Sequence, residues 1–246
     1  MVTSRYDRQL KVEQIGTKGQ ARFEKASVLV IGVGGIGSFV ASELVKAGIG
    51  TITLVDYDKV EFTNLHRQNL YTEADVENGL EKLIAIGRHL RAANSTVKII
   101  EKSQKFSGAL LDEVNYDLVI DCVDNFPTKY QINEECFKRN IPHIFATCGA
   151  NQGQVMFMQS QENACLECLY PKQDIAKLGL SANIGNNPMI VAITGSLEAS
   201  MALKFLTRPE TVNPENLMVI DNWNFDFRKV HVHRRAKCPL HGGLKS

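Results

Sequence analysis

The sequence lacks any run of about 18 apolar residues, the length that a membrane-spanning helix needs. Its opening, MVTSRYDRQL, has no apolar segment of the kind that a secretory signal carries. Internal repeats and low-complexity tracts are absent as well. These absences predict a cytoplasmic protein that makes no use of a membrane.

An excess of charge of either sign is also missing. The chain has 28 basic and 27 acidic residues and a formal net charge of +1, which argues against nucleic acid or a membrane surface as a partner. With 44% apolar and 22% charged residues, its 246 residues have ordinary globular composition. The six cysteines come without an export signal, so close pairs of them indicate metal or redox sites before disulfides.

Strand and helix patterns alternate along most of the chain, which predicts an α/β fold with a doubly wound, mostly parallel, Rossmann-like sheet. From about residue 150 this alternation gives way to a different pattern, so the nucleotide-binding part is expected at 1–150 and a further part of the same compact domain at 151–246. Strands are expected at 27–32, 51–56, 96–101, 117–121, 142–147, 152–159, 217–220 and 225–232. Helices are expected at 35–47, 79–93, 127–140 and 188–206, after one or two short helices between 5 and 26, with a long mobile loop at 171–187.

A glycine-rich turn joins the first strand to the helix that follows it. Its residues Gly32, Gly34, Gly35 and Gly37 match G-x-G-x-x-G, a pattern that lets the backbone approach phosphates at a helix N-terminus. Asp56 ends the next strand, where a carboxylate receives ribose hydroxyls. The alternative is a tight structural turn with an ordinary strand-end aspartate. The pattern predicts a bound nucleotide without choosing among NAD, FAD and ATP.

Asp124 lies three residues after Asp121, which ends a predicted strand, so it should face the crevice at the carboxyl ends of the strands. A carboxylate repels phosphates unless a cation mediates, which favours a Mg²⁺ role. The competing interpretation is a helix cap, supplied by Asp124, Asn125 or Thr128 ahead of the next helix.

Basic side chains follow the Asp56 strand at Arg67, in the stretch Asn64-Leu-His-Arg67-Gln68, and at Lys82. Taken singly, each is more often a solvated surface charge than a ligand. Hydride transfer does not need such groups around the phosphates, whereas attack on a phosphate does, because negative charge must be stabilised as pyrophosphate leaves.

Taken together and in order, these motifs resemble the bacterial enzymes that activate ubiquitin-like proteins, the molybdopterin-synthase and thiamine sulfur-carrier adenylyltransferases. The matching segments are Arg5-Tyr-Asp-Arg8-Gln9, the glycine turn, Asp56-Tyr-Asp58, Asn64-Leu-His-Arg67-Gln68, Gly79-Leu-Glu-Lys82, Asp121-Cys-Val-Asp124-Asn125, Gly195-Ser-Leu-Glu198-Ala199 and the paired cysteines described below.

The resemblance implies an adenylyltransferase in which the C-terminal glycine carboxylate of a ubiquitin-like sulfur carrier ending in Gly-Gly attacks the α-phosphate of ATP and releases pyrophosphate. Residues 151–246 would then bind the carrier. The resemblance also implies a homodimer with two sites. Asp56 would hold the ribose, Asn64, Arg67 and Lys82 the phosphates, and Asp124 a Mg²⁺ ion, while Asp58 and Gln68 would complete the nucleotide site and Arg8 would reach the neighbouring subunit's nucleotide.

Cys165-Leu-Glu-Cys168 and Cys238-Pro-Leu-His241 are two hooks that each place two ligands close together, and three cysteines with one histidine form an established zinc set. A zinc-stapled C-terminal extension is therefore expected. The related family has cysteine at the fourth position, so His233 or His231 stays open as an alternative to His241. A redox pair at Cys165 and Cys168 is the competing interpretation, and it leaves the second hook unexplained.

Many members of that family carry one more cysteine in the loop that corresponds to 171–187, and this chain has none there. We therefore expect the reaction to stop at the adenylate. Cys122 and Cys136 are expected in the core, whereas Cys148, near the crevice, stays open as a reactive thiol.

Three other functions compete with an adenylyltransferase that acts on a sulfur carrier. They are adenylation of another carboxylate or of a tRNA base, an NAD- or FAD-dependent oxidoreductase, and a non-catalytic scaffold. An oxidoreductase explains the glycine turn but neither the charged residues nor the zinc set. The sequence leaves open which carrier and which pathway the enzyme serves.

Overall fold

A central eight-stranded sheet organises the chain. The computed structural model describes residues 4–159, 161, 163–178 and 185–242, with the side chains of 176–178 left aside. The strands are β1 (Ser27–Ile31), β2 (Thr51–Asp56), β3 (Lys98–Ser103), β4 (Leu118–Asp121), β5 (His143–Gly149), β6 (Gln152–Met158), β7 (Asn216–Asp221) and β8 (Asp226–His231). The helices are α1 (Gly16–Phe23), α2 (Gly35–Ala47), α3 (Glu73–Glu77), α4 (Lys82–Ala93), α5 (Leu110–Glu113), α6 (Phe126–Arg139), α7 (Leu166–Leu169) and α8 (Pro188–Thr207).

The strand order is β3-β2-β1-β4-β5-β6-β7-β8. The first five strands in this order are parallel, and β6, β7 and β8 add an antiparallel extension at one edge. The order reverses between β1 and β4, which creates a crevice at the carboxyl ends of these two strands. The predicted doubly wound, mostly parallel sheet is confirmed, and the boundary predicted near residue 150 falls in the turn between β5 and β6.

The strands next to the crevice are buried on both faces, as the runs Val28–Ile31 and Leu118–Asp121 show. The helix α2 follows β1 and ends at Gly48, whose φ of 88° places it in the left-handed region that closes helices. The prediction of a helix at 35–47 with Gly48 just beyond it is therefore confirmed.

Several local predictions differ from the structure, and the strand expected at 96–101 spans Lys98–Ser103. The helix expected from residue 79 begins at Lys82, since residue 81 is still extended and pairs with Lys59. The short α3 was not predicted, and its signal is the capping box that Thr72 and Asp75 form. In the loop expected at 171–187, residues Lys172–Leu178 form a 3₁₀ helix, while 179–184 lie outside the described residues.

The helix α8 has 20 residues and a mean hydropathy of 1.5, and it is the one helix in the described part of the chain with the length and composition of a membrane span. It packs against α1, α2, β5 and β6. The fully buried Glu198 and the exposed Lys204 interrupt its apolar sequence. These contacts are those of a helix in a protein core.

Candidate functional site

The glycine turn lies between β1 and α2, at the edge of the crevice. Gly32 has a φ of 86°, which favours glycine, and a Cβ at Gly37 would collide with the carbonyl oxygen of Gly32. Side chains are therefore excluded where the chain turns most tightly. The turn exposes the N-terminus of α2, whose free N–H groups favour negatively charged ligands.

Asp56 connects the end of β2 to this turn. One oxygen of its buried carboxylate accepts a hydrogen bond from the backbone N–H of Val33 at 2.8 Å. The other oxygen accepts from the N–H groups of Tyr57 at 2.7 Å and Asp58 at 2.9 Å. Asp56 thus fixes the glycine turn and the chain after β2 in one arrangement.

The segment from Asn64 to Gln68 lies against the glycine turn. The Arg67 guanidinium donates to Asn64 Oδ1 at 2.8 Å, and Gln68 is buried against Gly34. Among the side-chain atoms of the described residues, Gln68 Oε1 is one of the buried oxygens without a hydrogen-bond partner. The structure therefore brings the predicted residues Asn64, Arg67 and Gln68 to the turn.

Lys82 opens α4, and its side chain is almost fully buried. Its ammonium lies 2.9 Å from the carboxylate of Asp58, and its backbone N–H donates to the Asp58 carbonyl at 2.9 Å. Asp58 itself is half exposed. The structure therefore pairs the two predicted residues Lys82 and Asp58 directly after β2, beside Asp56.

Asp124 is exposed beyond the end of β4, on the crevice side. The adjacent Asn125 is the N-cap of α6, because its side-chain oxygen accepts from the N–H of Thr128 at 3.0 Å. Among the described residues, the Asp124 carboxylate has one hydrogen bond, a long contact of 3.5 Å with the Asn125 amide. The helix-cap role considered for Asp124 therefore belongs to Asn125, and the Asp124 carboxylate is available to a ligand. Carboxylate oxygens of this kind suit Mg²⁺.

A buried charged cluster lies below the crevice, and the pairing of its side chains was not predicted from the sequence. Lys129 of α6 contacts Asp121 at the end of β4 at 3.2 Å, and both side chains are buried almost completely. Glu198 of α8 accepts a hydrogen bond from the Cys122 thiol at 3.4 Å. The available signal was Asp121 within an apolar strand, followed eight positions later by a lysine on the next helix.

Burial dominates the electrostatics of this cluster. It raises the pKa of Asp121, against the lowering effect of Lys129. It also raises the pKa of Glu198 well above its usual range, and the nearby Asp121 adds to that effect. Burial and the nearby Asp121 thus both favour the protonated form of Glu198, whereas Asp121 has the Lys129 ammonium in contact with its carboxylate.

Cys148 lies near the carboxyl end of β5 and is partly buried. Burial raises the pKa of its thiol to about 11, and Lys129 and Arg67 only partly offset this rise. The thiol is thus protonated at neutral pH, unlike the low-pKa thiols that act as nucleophiles.

The second group of predicted ligands meets on the other side of α6. Cys165, Cys168, Cys238 and His241 are all buried, and their ligand atoms lie within 4.8 Å of one another. Cys165 Sγ is 3.8 Å from Cys168 Sγ and 3.6 Å from Cys238 Sγ, while Cys168 Sγ is 3.6 Å from His241 Nδ1. A tetrahedral zinc ion separates two sulfur ligands by about 3.8 Å and a sulfur and a nitrogen by about 3.6 Å. The four side chains therefore fit a zinc ion.

The outer contacts of this cluster support the same assignment. His241 Nε2 lies 3.0 Å from the carbonyl oxygen of Asn163, an arrangement that leaves Nδ1 to face the thiols. His231 Nε2 instead lies 3.3 Å from a carboxylate oxygen of Glu215, and the His231 ring packs on that of His233. The structure thus brings His241 to the three thiols, rather than His231 or His233.

Arg8 lies far from the glycine turn of its own chain. The residues around it are held at the C-terminal end of α2, where Gln9 donates to the Ala47 carbonyl at 2.9 Å and Tyr6 packs on Gly48. The 13 residues of α2 separate this end from the glycine turn, a length of about 20 Å. Arg8 is exposed and has no side-chain hydrogen bond or ion pair to any other described residue.

The profile of the ThiF family matches residues 6–240, which is nearly the whole chain. The chain belongs to the ThiF family. This membership confirms the resemblance found in the sequence, and it makes the chain an enzyme of the adenylyltransferase type.

The chain is similar in sequence and in structure to individual members of the family. A sulfur carrier protein adenylyltransferase of Thermus thermophilus is 35% identical over 97% of the chain and 90% of its own length. An adenylyltransferase and sulfurtransferase of Anopheles gambiae is 36% identical over 96% of the chain, which spans 53% of that protein. Among solved structures, that of E. coli MccB with ATP superimposes with a TM-score of 0.84 and 25% identity, over 98% of this ThiF-family chain and 74% of MccB.

Proposed function

We propose that this enzyme uses ATP to adenylate the C-terminal glycine carboxylate of a small ubiquitin-like sulfur carrier and releases pyrophosphate. The observation that supports the proposal is that Asp56 and Arg67 contact the glycine turn, at the end of the sheet where Lys82 pairs with Asp58 after β2 and Asp124 follows β4. The names of the Thermus and Anopheles relatives support a sulfur carrier as the partner. Adenylation of a different carboxylate is the second candidate, and the experiment below separates the two.

The chain's own groups suit attack on an α-phosphate. The free N–H groups of α2 and the cations of Arg67 and Lys82 offset the charge that develops when pyrophosphate leaves. Asp56, fixed by three backbone N–H groups, is in place to accept hydrogen bonds from the ribose. Asp124 would hold Mg²⁺, which supplies positive charge to the triphosphate.

Zinc is proposed as a structural ion at Cys165, Cys168, Cys238 and His241. A closed set of four protein ligands leaves no position for a substrate, which distinguishes structural from catalytic zinc. The ion would connect the end of the chain to α7, across 70 positions between Cys168 and Cys238.

We also propose a homodimer in which Arg8 completes the site of the other subunit. Arg8 lies at the wrong end of α2 for its own site, so a second copy must supply the contact if Arg8 takes part. The exposed Met189 and the half-buried Ile193 and Leu197 follow one another at intervals of four on α8. They present an apolar face of the kind that protein interfaces cover.

The proposal is tested by carrier-dependent exchange of pyrophosphate into ATP. Candidate carriers that end in Gly-Gly are screened, each beside the same carrier without its last glycine. Exchange should require the intact carrier and should be lost in Asp124→Ala. Exchange that is insensitive to removal of the glycine, or that appears only with an unrelated carboxylate, would contradict a sulfur carrier as the substrate. The cytoplasmic location and the end of the reaction at the adenylate stay predictions.

A further inference from the structure

Lys129 is the most completely buried cation in the described part of the chain, with 1% of its side chain exposed. Its ammonium contacts two neighbouring strands, because it lies 3.2 Å from Asp121 Oδ1 of β4 and donates to the carbonyl of Ala146 in β5 at 2.6 Å. It also lies 5.1 Å from the ring centre of Phe145. Lys129 therefore joins α6 to the end of β4 and to the middle of β5 at the floor of the crevice.

The partner of Lys129 shapes the loop after β4. Asp121 Oδ1, the same atom that Lys129 contacts, accepts from the backbone N–H of Val123 at 3.2 Å. The intervening Cys122 packs against the glycine turn so closely that a Cβ at Gly32 would lie 2.9 Å from the Cys122 carbonyl oxygen. The ion pair thus fixes the two residues between β4 and Asp124 against the nucleotide-binding turn.

Stability alone does not account for this pair. Buried ion pairs contribute little net stability, and apolar residues of similar volume often replace them without loss. Among the described contacts, the adjacent Glu198 accepts its hydrogen bond from the Cys122 thiol rather than from Lys129, and burial raises its pKa. What distinguishes the Lys129–Asp121 pair is its position, because it lies directly below the loop that carries Asp124.

We propose that Lys129 is a positioning residue for the nucleotide site, which acts through Asp121 to hold the loop 122–124 where Asp124 can bind a divalent cation together with ATP. The inference rests on the proposed ATP-dependent function. It concerns the response of ATP binding to Mg²⁺ and needs no carrier.

The experiment measures the dissociation constant of ATP with and without Mg²⁺ by calorimetry. In the wild type, Mg²⁺ should tighten binding, and Lys129→Met should reduce that tightening by at least about tenfold, because small displacements of a binding group have large effects. Lys129→Arg, which keeps the charge, should restore most of it. Ile132→Ala, at a buried position of the same helix that packs within an apolar cluster, controls for lost stability and should keep the response to Mg²⁺.

If Lys129→Met does not fold, Asp121→Asn combined with Lys129→Met removes both buried charges at once, and it should show the same loss. An unchanged response to Mg²⁺ in a folded Lys129 variant would overturn the inference. An equal loss in Ile132→Ala would also overturn it, as would a wild type that does not respond to Mg²⁺. If Mg²⁺ tightens ATP binding but no carrier supports pyrophosphate exchange, the proposed function fails while the role of Lys129 is still measured.

Discussion

The carboxylate of Asp56 and the backbone N–H of Val33 form a 2.8 Å hydrogen bond that joins the end of β2 to the glycine turn. Asp56 spans the two neighbouring strands β1 and β2 in this way, and its second oxygen accepts two further N–H groups. One side chain therefore sets the shape of the turn and offers a carboxylate to the ribose.

Replacing this carboxylate with an amide tests both roles. Asp56→Asn places an NH₂ group where an acceptor is needed, so it should lower the free energy of unfolding by about 1–3 kcal/mol and weaken ATP binding by at least about tenfold. Urea unfolding and calorimetry measure the two effects. Asp226→Asn, on the exposed β8, is the matched control and should change neither. Unaltered ATP affinity in Asp56→Asn would remove Asp56 from the nucleotide site.

Adjacent substitutions at the start of α6 should separate binding from capping. Asp124→Ala should leave the unfolding free energy nearly unchanged and slow pyrophosphate exchange by at least about 10²-fold. Asn125→Ala should lower the unfolding free energy by about 1 kcal/mol, because it removes the bond to Thr128. Near wild-type exchange by a folded Asp124→Ala protein would contradict the Mg²⁺ role.

Mixed dimers should reveal a contribution of Arg8 to the other subunit. Arg8→Ala and Asp124→Ala should each be nearly inactive, and after subunit exchange the mixture should regain about a quarter of wild-type activity, since roughly half the dimers are mixed and each has one intact site. Arg5→Ala is the matched control, because Arg5 donates to the Ala93 carbonyl of its own chain at 2.8 Å. No recovery, despite demonstrated exchange of subunits, would exclude the contribution in trans.

Elemental analysis of protein prepared without chelator should find about one zinc per chain. His241→Ala and Cys238→Ser should lose the metal and much of the thermal stability, because metal binding contributes directly to folding. His233→Ala should keep both, since His233 packs on His231 rather than on the thiols. A metal-free wild type that unfolds at the same temperature as Cys238→Ser would refute the site.

Glu198 should make stability depend on pH. Its pKa is raised in the folded state, so the unfolded chain releases its proton first, and the folded state loses stability as the pH rises above the ordinary range for glutamate. Glu198→Gln should therefore stabilise the protein relative to wild type at pH 7, and the gain should grow with pH by at most about 1.4 kcal/mol per unit. Thermal unfolding between pH 5 and pH 8 measures it. The facing groups are Cys122, Asp121 and Lys129, and a pH-independent difference would mean that Glu198 is already ionised.

Much of the fold was predictable because its signals are local. The apolar run before Gly32, the glycine pattern and Asp56 lie close together in sequence, and their periodicity specifies β1, α2 and β2. The zinc ligands were predictable in pairs for the same reason, but which histidine joins the thiols depends on contacts between distant segments.

Other features depend on side chains that meet only after folding. The pairing of Lys129 with Asp121 and Ala146 is set by how α6 packs on β4 and β5, and no spacing rule specifies it. The position of Arg8 at the far end of α2 likewise follows from Tyr6 and Gln9 contacting the α2 C-terminus. The sequence allows either Asp124 or Asn125 to cap α6. The folded backbone places Asn125 at the N-cap position, where its side chain accepts from the Thr128 N–H.

The proposed zinc site joins two widely separated hooks, which has a consequence for synthesis of the protein. A chain emerging from the ribosome contains the whole parallel half of the sheet long before it contains Cys238 and His241. Until those last residues are made, Cys165 and Cys168 can offer a metal only two ligands, and such a half site binds weakly. A product that stops short of residue 238 would therefore retain the glycine turn and its charged neighbours but lack two of the four ligands of the proposed zinc site. Metal content would then report whether translation reached the end of this segment.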